Sequence, residues 1–205
     1  MIVPTYDFEE RLANRGFNLI AGVDEAGRGA WAGPIVAAAV ILPKNILELK
    51  IPLRDSKLLN PSQRERIFSQ IVAVAVGFSI KVIGHDYIDR NGLGPANREV
   101  ILLAARTTFP KPDYLLIDNL TTPINSTIPH ELIIKGDAKI CSIAAASILA
   151  KVARDRIMHG FARTYPAYFF DQHKGYGTTL HQSSLLKLGP SPIHRLSYKP
   201  IKNLI

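Results

Sequence analysis

Four acidic side chains follow short apolar segments and could act together in chemistry. Asp24 and Glu25 follow FNLIAGV, Asp118 follows PDYLLI, and Asp137 follows ELIIKG. Acids at strand ends can converge on one edge of an α/β sheet, where such proteins usually keep their sites. Close carboxylates repel one another unless cations lie between them. The pattern predicts a site for Mg²⁺ or Mn²⁺, and hydrolysis of a phosphodiester by a water that the metal activates.

Each acid also has a simpler structural interpretation. Asp137 precedes a long predicted helix and could be its N-cap, and Asp118, beside Asn119, could form a turn. Successive side chains on a strand point to opposite faces, so Asp24 and Glu25 share one site only if the extended chain ends between them. We expect a turn immediately after Asp24, which would bring Glu25 or its carbonyl back to the same ions. Asp24 is then the expected shared ligand.

A glycine-rich turn, formed by Gly27, Arg28 and Gly29, follows the first two acids. Its spacing misses the dinucleotide-binding fingerprint by one residue, and Pro34 and a strand follow where that fold needs a helix. A nicotinamide-dependent enzyme is therefore disfavoured. The turn can instead bring backbone groups and Arg28 against a sugar-phosphate backbone. An ordinary tight turn is the alternative.

The segment HKGYGTTLH combines His173, Lys174, Tyr176 and His181. The two histidines are eight residues apart and match no standard zinc spacing. Tyr176 lies between two glycines on a basic segment, where an aromatic ring can stack on a sugar or base of a duplex. A tyrosine packed into the core is the alternative interpretation.

The positive charge is concentrated in the last third of the chain. Residues 139–205 contain ten Lys or Arg and two Asp or Glu, which accounts for the whole formal net charge of +8. This asymmetry predicts a polyanionic partner such as a nucleic acid duplex. A basic surface that serves solubility is the alternative. A passive duplex-binding module would share the charge pattern but would not need the acids.

Length and cysteine content restrict the class of protein. A chain of 205 residues with 47% hydrophobic residues is predicted to form one domain. The single cysteine, Cys141, cannot form an intramolecular disulfide, which favours the cytoplasm. The amino-terminal residues resemble neither a signal peptide nor a transit sequence, and the apolar runs are shorter than the roughly 20 residues of a membrane helix.

Apolar periodicity and Gly/Pro punctuation predict a sheet with helices around it. Strands are predicted over 17–23, 34–42, 73–84, 112–118 and 131–136, and helices over 61–71, 94–109 and 138–165. The tail from His173 is predicted to hold one short helix and otherwise loop. Because a hairpin-like connection comes first and strands then alternate with helices, we expect a mixed sheet flanked by helices.

Seven motifs occur in the order found in ribonuclease HII, and the sequence resembles that family over nearly its whole length. They are GVDEAGRGAWAGPIVAAAVIL, DSKLL, GLGPANR, LLID, KGDAKICSIAAASILAKVARD, HKGYGT and HRLSYKP. The resemblance implies an α/β, ribonuclease H-like fold with a mixed five-stranded sheet and a helical C-terminal region. It also implies one domain over 1–205, with a catalytic core at about 17–165 and a substrate-gripping region at 166–205.

The resemblance also implies roles for particular residues. The turn at 27–29 is similar to the element that senses the ribose 2′-hydroxyl, and Tyr176 resembles the tyrosine that stacks on the deoxyribose after a ribonucleotide. We further expect Lys57 and Lys174 to contact the substrate. The metal-binding acids of the family correspond to Asp24, Glu25, Asp118 and Asp137, with Asp137 completing the position of a second Mg²⁺ or Mn²⁺ ion.

The implied enzyme is a monomer that acts in DNA replication and repair. It cuts the RNA strand of RNA/DNA hybrids and cuts 5′ of single ribonucleotides in duplex DNA, leaving a 3′-hydroxyl and a 5′-phosphate. Two residues depart from the family pattern: Asn119 replaces a common glycine, and Cys141 stands where serine or another small residue is frequent. Neither corresponds to a metal ligand, so we expect activity to be retained.

Overall fold

A computed structural model describes residues 3–118 and 124–203, and five strands form one mixed sheet in the order β3-β2-β1-β4-β5. The first two strands run antiparallel to each other, as do β2 and β3, whereas β4 is parallel to both β1 and β5. The predicted mixed sheet is confirmed. The strands are β1 (Ile20–Ala26), β2 (Ile35–Ile41), β3 (Gly77–Ile83), β4 (Tyr114–Asp118) and β5 (His130–Ile133).

Helices cover both faces of this sheet. The longest helix, α5, packs on β1 and β2 together with α2, and α4 covers the opposite face. No helix within the two described ranges is long and apolar enough to cross a bilayer. The α-helices of these ranges are α1 (Asp7–Ala13), α2 (Pro61–Val74), α3 (His85–Asn91), α4 (Leu93–Thr107), α5 (Cys141–Thr164), α6 (Phe170–His173), α7 (Thr179–Leu188) and α8 (Lys199–Lys202).

Close contact between β1 and α5 depends on small residues. A Cβ atom on Gly22 would lie 2.1 Å from the carbonyl carbon of Ser142, so only glycine fits at this point of the strand. The first turn of α5 receives its acceptor from a distant residue, because the backbone N–H of Ser142 donates to Glu9 Oε1 at 2.9 Å. The strand that carries Asp24 is therefore held directly against the long helix.

Several element predictions need correction. Helices α1 and α3 were not predicted, and β3 begins four residues later than expected because α2 continues to Val74. The single helix predicted in the tail is also wrong, since α7 and α8 both form there. The short α8 has Pro200 in its first turn and buries Ile201 completely, so tertiary packing supports a helix that local periodicity is too short to reveal.

Candidate active site

Three of the four predicted acids meet at one edge of the sheet. Asp24 lies on β1, Asp118 ends the neighbouring parallel strand β4, and Asp137 lies in a 3-10 turn (Gly136–Ala138) after β5. One carboxylate oxygen from each lies within 4.8 Å of the others. The helix that follows starts at Cys141 with Ile140 as its N-cap, so Asp137 is not the cap of α5. We call Asp24, Asp118 and Asp137 the aspartate cluster.

Glu25 reaches the same cleft by a different route from the one expected. The predicted turn directly after Asp24 is wrong, because β1 stays extended through Ala26 and Glu25 remains paired with Ala37 of β2. The Glu25 carboxylate pairs with Arg28, with Oε1 3.4 Å from Nη1. It lines the cleft but is not part of the three-oxygen group.

The surroundings of Asp24, Glu25 and Asp118 disfavour the charged forms of their carboxyl groups. Burial raises the pKa of Asp24 well above its ordinary value, and the nearby Glu25 and Asp118 carboxylates raise it further. Burial also raises the pKa of Glu25 to about 7, although Arg28 opposes this shift. The pKa of Asp118 is raised by burial too, against a 2.6 Å hydrogen bond from the Gly136 N–H. A divalent cation among these oxygens would relieve both effects.

One cationic side chain already lies beside the aspartate cluster. The ammonium of Lys57 is 2.9 Å from Asp137 Oδ2 and 3.6 Å from Asp55 Oδ1. Burial disfavours the charged ammonium, but the hydrogen bond and attraction to Asp137 outweigh it and raise the Lys57 pKa. Asp55 also accepts a hydrogen bond from the Lys57 N–H, which fixes the short 3-10 turn that presents the side chain.

A cleft of about 280 Å³ opens over three of the four acids, Asp24, Glu25 and Asp118. A larger cavity of about 750 Å³ lies along the C-terminal half of α5 and contains none of the four acids, so cavity size does not identify the site. The walls of the smaller cleft combine acids, the glycine-rich turn, two hydroxyls and basic groups, and they include Asp24, Glu25, Gly27, Arg28, Gly29, Ser56, Lys57, Asp118, Ser147, Lys151 and Tyr176.

The glycine-rich turn and the segment 174–178, here called the tyrosine loop, form one unit. Ala30 forms a β-bridge with Tyr176, and the Trp31 N–H donates to the Gly175 carbonyl at 2.7 Å. Gly27 has φ +101°, and a Cβ there would lie 2.2 Å from Arg154 Nε. Gly29 differs, since a Cβ there would meet nothing within 4 Å. The chain itself therefore needs glycine at 27, whereas the space beside Gly29 is open.

Comparison with known proteins agrees with this arrangement, because the Ribonuclease HII family model matches residues 21–201. The chain belongs to the ribonuclease HII family. It is 44% identical over 206 residues to ribonuclease HII of Dehalococcoides mccartyi strain BAV1, an alignment that covers 100% of this chain and 97% of that protein. It is 45% identical over 202 residues to ribonuclease HII of Roseiflexus castenholzii, covering 97% and 89% of the two chains.

The fold comparison gives the same family. The crystal structure of ribonuclease H2 from Pyrococcus horikoshii superimposes with a TM-score of 0.78 at 26% identity, covering 91% of this chain and 97% of that one. Enzymes of the ribonuclease HII family are endoribonucleases that require divalent metal and act on RNA/DNA hybrids. The present chain is such an enzyme, and its aspartate cluster provides oxygen ligands suited to the metal.

Two fully buried arginines brace the glycine-rich turn and the segments next to it. Arg195 donates to the carbonyls of Arg28, Gly33 and Pro34, at 3.0 to 3.1 Å. Arg154 donates to three carbonyls as well, those of Ala32, Pro34 and Lys174, at 2.9 to 3.1 Å. Burial lowers the pKa of both guanidinium groups. Sequence reasoning gave neither arginine a role, although the motifs KVARD and HRLSYKP contain them.

Two predicted substrate contacts have different locations. Tyr176 is half-buried at the cleft wall rather than in the core, with the guanidinium carbon of Arg154 5.1 Å and the ammonium of Lys151 5.5 Å from its ring centre. Lys174 does not line this cleft. Its ammonium donates to the Asp171 carbonyl and lines a neighbouring cavity that also contains Arg64 and Asp155.

One of the two departures from the family pattern, Asn119, lies outside the described residues. Cys141 is 1% exposed at the start of α5, and its thiol lies 3.5 Å from the Pro4 carbonyl. Burial raises the Cys141 pKa to about 12, so the thiol stays protonated at neutral pH. The residue is not part of the aspartate cluster.

Proposed function

We propose that this enzyme cuts on the 5′ side of single ribonucleotides embedded in duplex DNA, as well as within longer RNA/DNA hybrids. The products are a 3′-hydroxyl and a 5′-phosphate. The proposal rests on one observation above all: Asp24 and Asp118 line the same cleft as the glycine-rich turn and Tyr176, and Asp137 has a carboxylate oxygen within 4.8 Å of theirs. Groups that can hydrolyse a phosphodiester and groups that can contact two successive sugars are therefore within reach of one backbone segment.

The four acids are assigned to metal binding. Asp24, Asp118 and Asp137 would hold Mg²⁺ or Mn²⁺ through the oxygens that lie within 4.8 Å, and Glu25 would complete the set from the cleft wall. The bound metal supplies activation of water and charge stabilisation of the leaving oxygen. Lys57 holds Asp137 in place and offers its ammonium to a substrate phosphate. Because metal ions bind the ionised carboxylates, the raised pKa values of Asp24 and Asp118 mean that metal uptake releases protons and is favoured as the pH rises.

The remaining residues are assigned to recognition of the sugar. Gly29 leaves open space beside the turn, which allows a ribose 2′-hydroxyl to approach backbone groups of residues 27–29. Tyr176 would stack on the deoxyribose that follows the ribonucleotide. Lys174, which lines the next cavity, is assigned to a more distant phosphate of the duplex. We also propose that residues 17–165 form the catalytic core and 166–205 grip the duplex, in a cytoplasmic monomer.

A cleavage assay tests the proposed function. A 5′-labelled DNA duplex with one ribonucleotide is incubated with the protein and Mg²⁺, with Mn²⁺, or with chelator, and an all-DNA duplex of the same sequence is the control. We expect one cut 5′ of the ribonucleotide, only with metal, and a product that a polymerase extends from its 3′-hydroxyl. A cut on the 3′ side of the ribonucleotide, or a labelled product that ends in a 3′-phosphate, would refute the proposed reaction.

The same assay separates the enzyme from a passive duplex-binding module. A passive module would bind the duplex with the same salt dependence but would leave it intact in both metals. Parallel measurement of binding by fluorescence anisotropy in chelator shows whether an uncut duplex was bound. Binding without cleavage on both the hybrid and the single-ribonucleotide duplex would favour the passive module.

A further inference from the structure

Three buried histidines lie directly beneath the tyrosine loop. His173, His181 and His194 are 7%, 0% and 1% exposed, and they come from α6, from α7 and from the turn before Arg195. The rings of His173 and His181 are stacked with centroids 4.2 Å apart, and His181 Nε2 lies 2.9 Å from His194 Nε2. We call this group the histidine cluster, and it is separate from the aspartate cluster.

Hydrogen bonds determine which ring nitrogen carries each proton. The Ser191 N–H donates to His194 Nδ1 at 2.8 Å, so the proton of a neutral His194 is on Nε2 and points at His181. His181 must then accept at Nε2 and carry its own proton on Nδ1, which donates to the Tyr176 carbonyl at 3.0 Å. The donors form a one-way chain from His194 through His181 to the backbone of Tyr176.

His173 binds the backbone of Gly175, the residue before the tyrosine. The Gly175 N–H donates to its Nδ1 at 3.1 Å, so the ring proton is on Nε2 and donates to the Tyr168 carbonyl at 2.6 Å. Burial lowers the pKa of His173 and brings that of His181 to about 3 and of His194 to about 4, so all three are neutral near pH 7.

We infer that His173 and His181, with His194 behind them, are positioning residues that set the orientation of the Tyr176 ring and thereby the preference for a single ribonucleotide over a continuous hybrid. This inference rests on the proposed function, because it assumes that Tyr176 contacts the sugar after the ribonucleotide. The histidines lie under the loop and do not line the cleft with the acids, so hydrolysis itself needs no contribution from them. Loss of the cluster should therefore affect the two substrates unequally.

The test compares kcat and KM on two duplexes of equal length, one with a single ribonucleotide and one with a complete RNA strand. His181→Phe keeps a ring in the space but removes both hydrogen bonds, and we expect a loss of more than about 10-fold in kcat/KM on the single ribonucleotide. Cleavage of the hybrid should change by less than about 3-fold. His130→Phe, which removes a histidine from β5, is the matched control and should alter neither.

Rescue distinguishes positioning from a general packing defect. His181→Asn can still donate to the Tyr176 carbonyl from a position close to that of Nδ1, and it should recover most of the lost preference. Two-bond ¹H–¹⁵N NMR spectra of the wild-type protein should show Nε2–H for His173 and His194 and Nδ1–H for His181. If His181→Phe does not fold, His173→Phe tests the contact to Gly175 from the other side, with the same expected direction.

The outcomes separate this inference from the proposed function. Wild-type protein that cuts the hybrid but not the single ribonucleotide would overturn the proposed function, and this inference with it. If Tyr176→Ala loses the preference and His181→Phe keeps it, the inference alone is overturned. Equal losses on both substrates without rescue by asparagine would likewise overturn it, since they indicate only damaged packing.

Discussion

Asp24 and Asp118 of the aspartate cluster line the same cleft as Tyr176 of the tyrosine loop, but the two regions are stabilised in opposite ways. Pairing of β1 with β4 and the 3-10 turn after β5 bring the aspartates together, and burial raises the pKa values of Asp24 and Asp118. The tyrosine loop is held by neutral histidines and by the Arg154 guanidinium, through hydrogen bonds to its backbone. We call the aspartate cluster the catalytic part, and the glycine-rich turn with the tyrosine loop the recognition part, after their proposed roles. The comparison predicts that an added cation stabilises the catalytic part, whereas hydrogen bonds within the chain hold the recognition part.

The largest expected effect comes from breaking the catalytic part alone. Asp24→Asn removes the central charge of the aspartate cluster, and we expect cleavage to fall by more than about 10³-fold on every substrate. Binding of an uncut duplex should be nearly unchanged, because the basic residues are untouched. Gel-based cleavage and anisotropy in the same buffer measure the two quantities. Wild-type turnover by this variant would refute the assignment of Asp24.

The recognition part can be broken through its buried arginine. Arg195→Leu leaves the carbonyls of Arg28, Gly33 and Pro34 without this donor, and we expect the free energy of unfolding to fall by about 3 to 5 kcal/mol. Denaturant titration measures the change, with the exposed Arg66→Leu as the control. A loss no greater than that of the control would show that the arginine does not brace the turn.

Metal addition sharpens the comparison, since only the catalytic part should respond. Without metal, raised carboxyl pKa values mean that the folded state binds more protons than the unfolded state above pH 4, so folding loses stability as pH rises. Mg²⁺ must displace those protons, so it should stabilise the protein more at pH 8 than at pH 5.5. At pH 8 we expect a gain of about 2.7 kcal/mol when the Mg²⁺ concentration is 100 times its Kd. Thermal unfolding measures this difference, which Asp24→Asn should abolish. Equal stabilisation at both pH values would contradict the electrostatic account.

The contribution of the histidine cluster to stability should change with pH in the opposite direction. The depressed pKa values of His181 and His194 mean that the unfolded chain binds more protons below pH 6.5, so stability is full above that pH and falls as pH drops towards 4. Each histidine contributes up to about 1.4 kcal/mol per pH unit. Charged or titratable groups near the cluster are His85, Asp171, Lys174 and Tyr168.

The measurement is the pH dependence of the free energy of unfolding in wild-type protein and in His181→Asn. We expect a shallower slope between pH 6.5 and 4.5 in the variant, because one depressed histidine is gone. Both proteins carry the aspartate cluster, whose slope has the opposite sign and cancels in the comparison. Identical slopes would show that the histidine is not held neutral by the fold.

The sequence was sufficient to predict the mixed sheet and the meeting of three aspartates. Both follow from short-range signals: apolar segments of strand length, and acids at their ends. The expected turn after Asp24 is wrong because pairing with β2 keeps Glu25 extended, and such pairing depends on partners that are distant in sequence. The substrate contact of Lys174 stays a prediction, but its location outside this cleft was not predictable from local sequence. It depends on a left-handed backbone, with φ +52°, and on a hydrogen bond to the Asp171 carbonyl.

Residues that act through backbone groups were not predictable in the same way. Arg154, Arg195 and His181 bind carbonyls from other parts of the chain, and a carbonyl leaves no signature in the residue type that carries it. Glu9 is similar, because its carboxylate accepts from the first turn of α5 across 133 positions. The contacts of these residues are apparent only in the three-dimensional structure, whereas the excess of positive charge in the last third of the chain is apparent from the sequence.

The β-bridge between Ala30 and Tyr176 joins two segments that are far apart in the chain. The spacing between the turn and the tyrosine is therefore established during folding, before any nucleic acid arrives. Little conformational entropy remains to be lost at these positions on association, so affinity there depends on how well adjacent sugars match a preset separation. A substrate whose sugar pucker alters that separation should therefore bind less well, because these positions of the protein do not adjust to it.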